Sequence, residues 1–201
     1  MIALIKKDIL FNLKWFVLFL IIAAAMPLLY VLDSETRLTL IVFILGPMLA
    51  NSMFLPKTCY SDDSPHTKAF LFALPITRRS LVGSKYLLGI LCIILSLTLT
   101  SISTLLFGLT LSIQSLAISM IYLLLYYAVF LASFYKTNYS NAEKSNAALL
   151  VLAMFSLFFF SRSGIALDEI HINPLHLMTM LLACMLFFLS SFVYSARKYH
   201  R

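Results

Sequence analysis

Tyr86-Leu87-Leu88-Gly89-Ile90-Leu91-Cys92-Ile93-Ile94-Leu95-Ser96-Leu97-Thr98-Leu99-Thr100-Ser101-Ile102-Ser103-Thr104-Leu105-Leu106-Phe107-Gly108-Leu109 carries no charged side chain. A helix rises about 1.5 Å per residue, so about 20 such residues cross a hydrocarbon core about 30 Å thick. Five further stretches are similarly apolar, with charged residues only at Glu143 and Lys144 near the start of one: 16–32, 38–55, 116–134, 142–160 and 175–194. Across the 201 residues, 62% are apolar and 11% charged, against about 25% charged in a soluble domain. A soluble fold cannot bury that much apolar surface. A transmembrane barrel would need alternating segments of about 10 residues, which are absent. The expected fold is therefore an all-α integral membrane protein, a single domain of six transmembrane helices.

Six crossings put both termini on one side. Lysine and arginine stay on the cytoplasmic side of a bilayer. With the N-terminus inside, thirteen of the fifteen basic residues are inside, and only Arg37 and Arg162 are outside. The inner face then carries +9 and the outer face −2, so the net charge of +7 reads as topology and calls for no nucleic acid. Ala23-Ala24-Ala25 resembles a signal-peptide cleavage site, but the apolar stretch runs on to Leu32, and removing it would undo the charge asymmetry. Three cysteines, Cys59, Cys92 and Cys184, imply no disulfide framework.

No Asp, Glu, Lys, Arg or His lies in the middle of any stretch. Such a group costs about 2.5–3.5 kcal/mol at mid-bilayer and is kept there for ion coupling, proton relay or catalysis. An ion-driven transporter and an intramembrane lipid-processing enzyme are both disfavoured. The five glycines form no phosphate-binding loop, so energy for uphill transport must come from a partner. In the third stretch Ser96, Thr100, Thr104 and Gly108 recur every four residues, along one helix face. Close helix packing is favoured there over lining a pathway. Pro47 favours a kink in the second stretch, and Asn51 fits either a polar pathway or a packing hydrogen bond.

The connection 56–85 is the one long inner segment. Ser64-Pro65 starts a short helix running to Leu74, ended by Pro75. Thr77 caps the next helix, with Ile76 placed to pack on Leu81. A helix of about ten residues between two spans suits docking into a partner's groove, or lying in the membrane interface. Residues 1–14 read as an interfacial helix with Ile2, Ile5, Ile9 and Leu13 on one face, and Lys7 and Lys14 roughly opposite. Ser140 and Glu143 have capping-box spacing and place a helix start near Asn141. Asp168, Glu169, His171 and His176 lack the spacing of a metal site.

Several of these residues carry a resemblance. Tyr60-Ser61-Asp62-Asp63, Lys68-Ala69-Phe70, Leu74-Pro75-Ile76-Thr77-Arg78-Arg79 and Ser84-Lys85-Tyr86 resemble the connecting loop of small bacterial ABC-2-type exporter permeases. Leu4-Ile5-Lys6-Lys7-Asp8-Ile9 resembles the opening of that family. One departure is Asp62-Asp63 followed by Ser64-Pro65-His66, where the family has an acidic-lysine helix start. The resemblance implies a multi-pass subunit of the bacterial plasma membrane, surrounded by lipid. It would be paired with a second copy or a sister permease, and with two ATP-binding subunits that hold ATP and Mg and carry out the hydrolysis. It assigns Phe70, Leu71 and Leu74 to the docking surface of a coupling helix, with Asp62, Asp63, Lys68, Arg78 and Arg79 as its polar rim. The expected cargo is an amphipathic or hydrophobic peptide or antimicrobial compound. A non-transporting immunity or sensor subunit that binds peptide or lipid is the alternative.

Overall fold

Backbone in hydrocarbon must satisfy its own N–H and C=O groups, and the described part of each apolar stretch accordingly lies mainly on a helix. The computed structural model describes residues 1–32, 39–73, 77–108, 113–162 and 173–198, with the side chains of 29–32, 39–43, 70, 72 and 156–162 left out. Among the described residues there is no strand. The helices are α1 (Ile2–Phe11), α2 (Leu13–Leu32), α3 (Thr39–Asp63), α4 (Pro65–Ala73), α5 (Arg78–Leu106), α6 (Ile113–Lys136), α7 (Tyr139–Arg162) and α8 (Pro174–Lys198). Among the described residues three helices, α5, α6 and α8, are long and apolar enough to cross a membrane, and α1 with α2 to Leu28 adds a fourth if that bent pair is one span. Of the other apolar stretches, 39–55 lies on α3 and 142–160 on α7.

Several boundaries differ from the sequence reading. Helix α1 ends at Phe11, and the chain turns by 85° into α2. The buried face of α1 is Leu4, Ile5 and Asp8, while Ile2 and Leu13 are exposed. Helix α3 continues through Pro56 to Asp63, and α5 begins at Arg78, so the 56–85 connection is mostly helix. Helix α7 starts at Tyr139, ahead of the Ser140–Glu143 spacing. Hydrogen-bond ladders run past the ends of apolar stretches, because helix continues for as long as caps and tertiary partners support it.

Helix α6 is central, touching α3, α5, α7 and α8. Its Tyr126, Tyr127, Phe130 and Leu131 are buried. Helix α2 packs on α3 and α5, with Phe16 and Phe54 ring centroids 5.3 Å apart. Hydroxyls join the helices: Thr100 Oγ1 donates to the Ala23 carbonyl at 3.0 Å, and Tyr126 OH to Asn146 Oδ1 at 2.7 Å. Tyr86 OH lies 2.7 Å from Ser191 Oγ and 2.9 Å from Ser195 Oγ on α8. Outward, α8 presents Leu175, Met178, Leu182, Leu186 and Leu189, an apolar wall suited to lipid.

Gly89 lets the α5 backbone lie against the Tyr127 ring. A Cβ at this position would stand 2.8 Å from Tyr127 Cδ1 and 2.9 Å from Cε1. Gly89→Ala should therefore destabilise the bundle by about 1–3 kcal/mol, read as a lower thermal midpoint in detergent. Ser190→Ala on the exposed face should change it by less than about 0.5 kcal/mol.

Candidate functional site

The overrun of α3 and the early start of α5 bring Asp62 and Lys85 side by side, and α1 crosses beside them. Lys85 Nζ lies 2.7 Å from Asp62 Oδ2 and 2.8 Å from Asp8 Oδ2. Lys7 Nζ lies 2.7 Å from Asp62 Oδ1 and 3.2 Å from Asp8 Oδ1. Each carboxylate thus gives one oxygen to each lysine, and the four groups close a ring. Lys85 and Asp8 are each 2% exposed and Asp62 8%. Lys85 also donates to the Thr58 carbonyl at 3.3 Å. Lys7 borders a cleft of about 430 Å³ that Phe11, His66 and Thr67 help to line. Burial by itself would push the Asp62 carboxyl up, but Lys85 and Lys7 outweigh it and hold the group below its ordinary value.

Asn12, at the elbow between α1 and α2, extends the contact. Its Nδ2 donates to the Asp8 carbonyl at 3.1 Å, and its Oδ1 accepts from Ser61 Oγ at 3.1 Å. Asp63 turns the other way. It pairs with Lys68 Nζ of α4 at 2.5 Å and accepts the Tyr139 N–H at the start of α7 at 3.4 Å. Ser64 caps α4 by accepting the Thr67 N–H at 3.3 Å, and Thr77 caps α5 by accepting the Ser80 N–H at 3.3 Å.

The residues assigned to docking fall into separate places. Asp62 is turned inward into the ring, and Leu71 is buried within the chain. Lys68 is half-buried, while Arg78 and Arg79 are exposed. Leu74 and Ile76 lie outside the described residues, as does the Phe70 side chain. Among the α4 side chains that are described, Pro65, His66, Ala69 and Ala73 are exposed. Of the polar residues expected on the outer side, Arg37, Asp168, Glu169 and His171 also lie outside the described residues.

A second polar group sits deeper in the bundle. Asn51 Nδ2 donates to the Pro47 carbonyl at 2.6 Å and to Ser96 Oγ at 3.0 Å, and its Oδ1 accepts from Tyr127 OH at 2.5 Å. Thr104 Oγ1 donates to the Thr100 carbonyl at 2.7 Å. Asn51, Ser96, Thr100 and Thr104 are all buried and occupied by bonds within the chain. Gly108 stands apart from them, past the end of α5 at φ 69° and with nothing within 4 Å of its would-be Cβ. It serves a left-handed turn.

Lys7, Asp8 and Lys85 escaped the sequence reading as site residues. The available signal was an aspartate on a mostly apolar helix, and a lone lysine at the mouth of an apolar run. The ring already pairs each of its carboxylate oxygens with a lysine. What it can do is hold three helix segments in one relative position. Lys85→Met should lower stability by about 3–5 kcal/mol, because Asp8 and Asp62 would then share a single lysine while buried; thermal unfolding in detergent measures this. Retained stability would show that the carboxylates reach solvent.

The family model described as ABC-2 family transporter protein matches residues 3–200. No curated protein and no solved structure matches the chain. The matched segment takes in the charge ring and the α3–α4–α5 connection as well as the apolar helices, and the chain belongs to the ABC-2 transporter family, as a membrane permease subunit of an ABC transporter.

Proposed function

We propose that the chain is the transmembrane subunit of an ATP-driven exporter, with six spans and both termini in the cytoplasm of a bacterial cell. In this reading α4 is the coupling helix. Two ATP-binding subunits, carrying ATP and Mg, dock on it, and a second copy or a sister permease completes the pathway. The observation that carries the reading is the seating of α4. Helix α4 sits between two long helices, is tied to the end of α3 by Lys68–Asp63, and leaves His66, Ala69 and Ala73 exposed. Small residues on an exposed helix face admit a close-fitting groove. Arg79 flanks that face and can meet acidic groups of a partner or lipid phosphates.

The cargo is amphipathic or hydrophobic, of the peptide or antimicrobial type. The exposed helix faces support this class, being apolar at Ile94 and Ile102 of α5, Val151 and Phe155 of α7, and Met178 of α8. Charged cargo would have no partner on them. Export is the direction that the loop and N-terminal motifs imply.

The test is co-purification with candidate ATP-binding subunits, followed by ATP turnover. Ala69→Glu or Ala73→Glu should weaken assembly by about tenfold or more, equivalent to about 1.4 kcal/mol, with the fold kept. Unchanged assembly and turnover in both variants would remove α4 from the interface. A cysteine at Ala69 should react with impermeant reagent from the cytoplasmic side, and one at Asn173 from the outer side. Labelling of both from one side would overturn the topology.

A further inference from the structure

Resting on that reading, the buried charge ring has a role beyond holding the bundle together. Four charges have been taken largely out of water where apolar side chains of similar volume would serve stability equally well. The ring's distinctive property is its connectivity. Asp62 lies two residues before the Ser64 cap of α4, Lys85 stands at the mouth of the α5 apolar run, and Lys7 and Asp8 belong to α1. Helix α1 otherwise has a modest grip. Apart from Asp8 it buries Leu4 and Ile5 and packs the half-buried Ile9 on the core, while Ile2, Leu10 and Phe11 are exposed. The chain then bends 85° into α2, so a displacement of α1 becomes a tilt applied to the head of a long apolar helix.

We propose that Asp8, Asp62 and Lys85 are positioning residues that make α1 move with α4, so that displacement of α4 by the ATP-binding subunit reaches α2 and α5 together. Asp62 is the junction, since its two oxygens hold Lys7 of α1 and Lys85 of α5 at 2.7 Å each. Asn12, bonded to both Asp8 and Ser61, stiffens the elbow so that the movement is not absorbed there.

The experiment uses the permease bound to its ATP-binding subunit in lipid nanodiscs. Spin labels are placed pairwise at the exposed positions Ile2, Ala69 and Thr179, with the three native cysteines replaced by alanine. Between nucleotide-free and nucleotide-trapped states the 2–69 distance should stay narrow and constant. The 69–179 and 2–179 distances should change together. The paired variant Asp62→Asn/Lys85→Met removes one charge of each sign and leaves the adjacent Lys7–Asp8 pair. In it the 69–179 distance should still change, the 2–179 distance should not, and ATP hydrolysis should continue. If this variant does not fold, Lys7→Met/Asp8→Asn makes the same cut from α1 and keeps the Asp62–Lys85 pair.

A constant 2–179 distance in the unmodified ring while 69–179 changes would overturn the proposal. So would concerted movement in a folded paired variant, because the ring would then be structural only. Failure of any ATP-binding subunit to co-purify would sink the permease assembly itself, whereas movement of α4 without α1 sinks the transmission alone.

Discussion

A single ammonium group, on Lys85, governs how the helix ends are arranged. It is almost wholly withdrawn from solvent, and stripping water from such an ion costs several kcal/mol even after relaxation. One carboxylate at contact distance returns about 4 kcal/mol at an effective dielectric constant of about 20, which by itself barely offsets that loss. Two carboxylates do so with room to spare, and the structure supplies two, from helices far apart in sequence. Their own desolvation then requires a second cation, which Lys7 provides. The ring is the smallest set that closes electrically, and closing it requires α3 to overrun its apolar stretch, α5 to begin early and α1 to fold back at Asn12.

Deeper in the bundle the forces are weaker and more distributed. Lipid tails are as apolar as leucine, so helices associate there through close packing and a few hydrogen bonds, each worth about 0.6 kcal/mol on average. The structure accordingly uses several. Asn51 links α3 to α5 and α6, Thr100 links α5 to α2, and the Tyr86–Ser191–Ser195 group links α5 to α8. With these side chains occupied internally, the outward faces among the described residues are mainly apolar. The two levels divide the labour: electrostatics sets the geometry where α4 meets the bundle, and packing holds the helices in lipid.

Much of this was legible in advance, and where legibility stopped has a physical cause. The six apolar stretches, the Ser64 and Thr77 caps and the short helix between them follow from local properties: hydropathy, a hydroxyl before free N–H groups, and a proline that cannot continue a helix. Asn51 was visible as a polar residue in an apolar setting, but its choice between packing and pathway depended on Ser96 and Tyr127, 45 and 76 residues away. Asp62 was assigned to a docking rim by the resemblance of its loop to that of the family. Its partners, at positions 7 and 85, carried no local mark of that pairing.

The amino-acid sequence alone determined that this chain lives in lipid as a set of helices, because burial of apolar side chains over about 20 residues is a property of composition that needs no knowledge of neighbours. It also marked the connection between the second and third stretches as the place where a partner would act. Only the tertiary structure decided which charges are buried, which residues of α4 face outward, and that the N-terminal helix is bonded to the ends of α3 and α5. Ion pairs form between side chains brought within about 4 Å of each other, and that proximity is created by packing among helices distant along the chain.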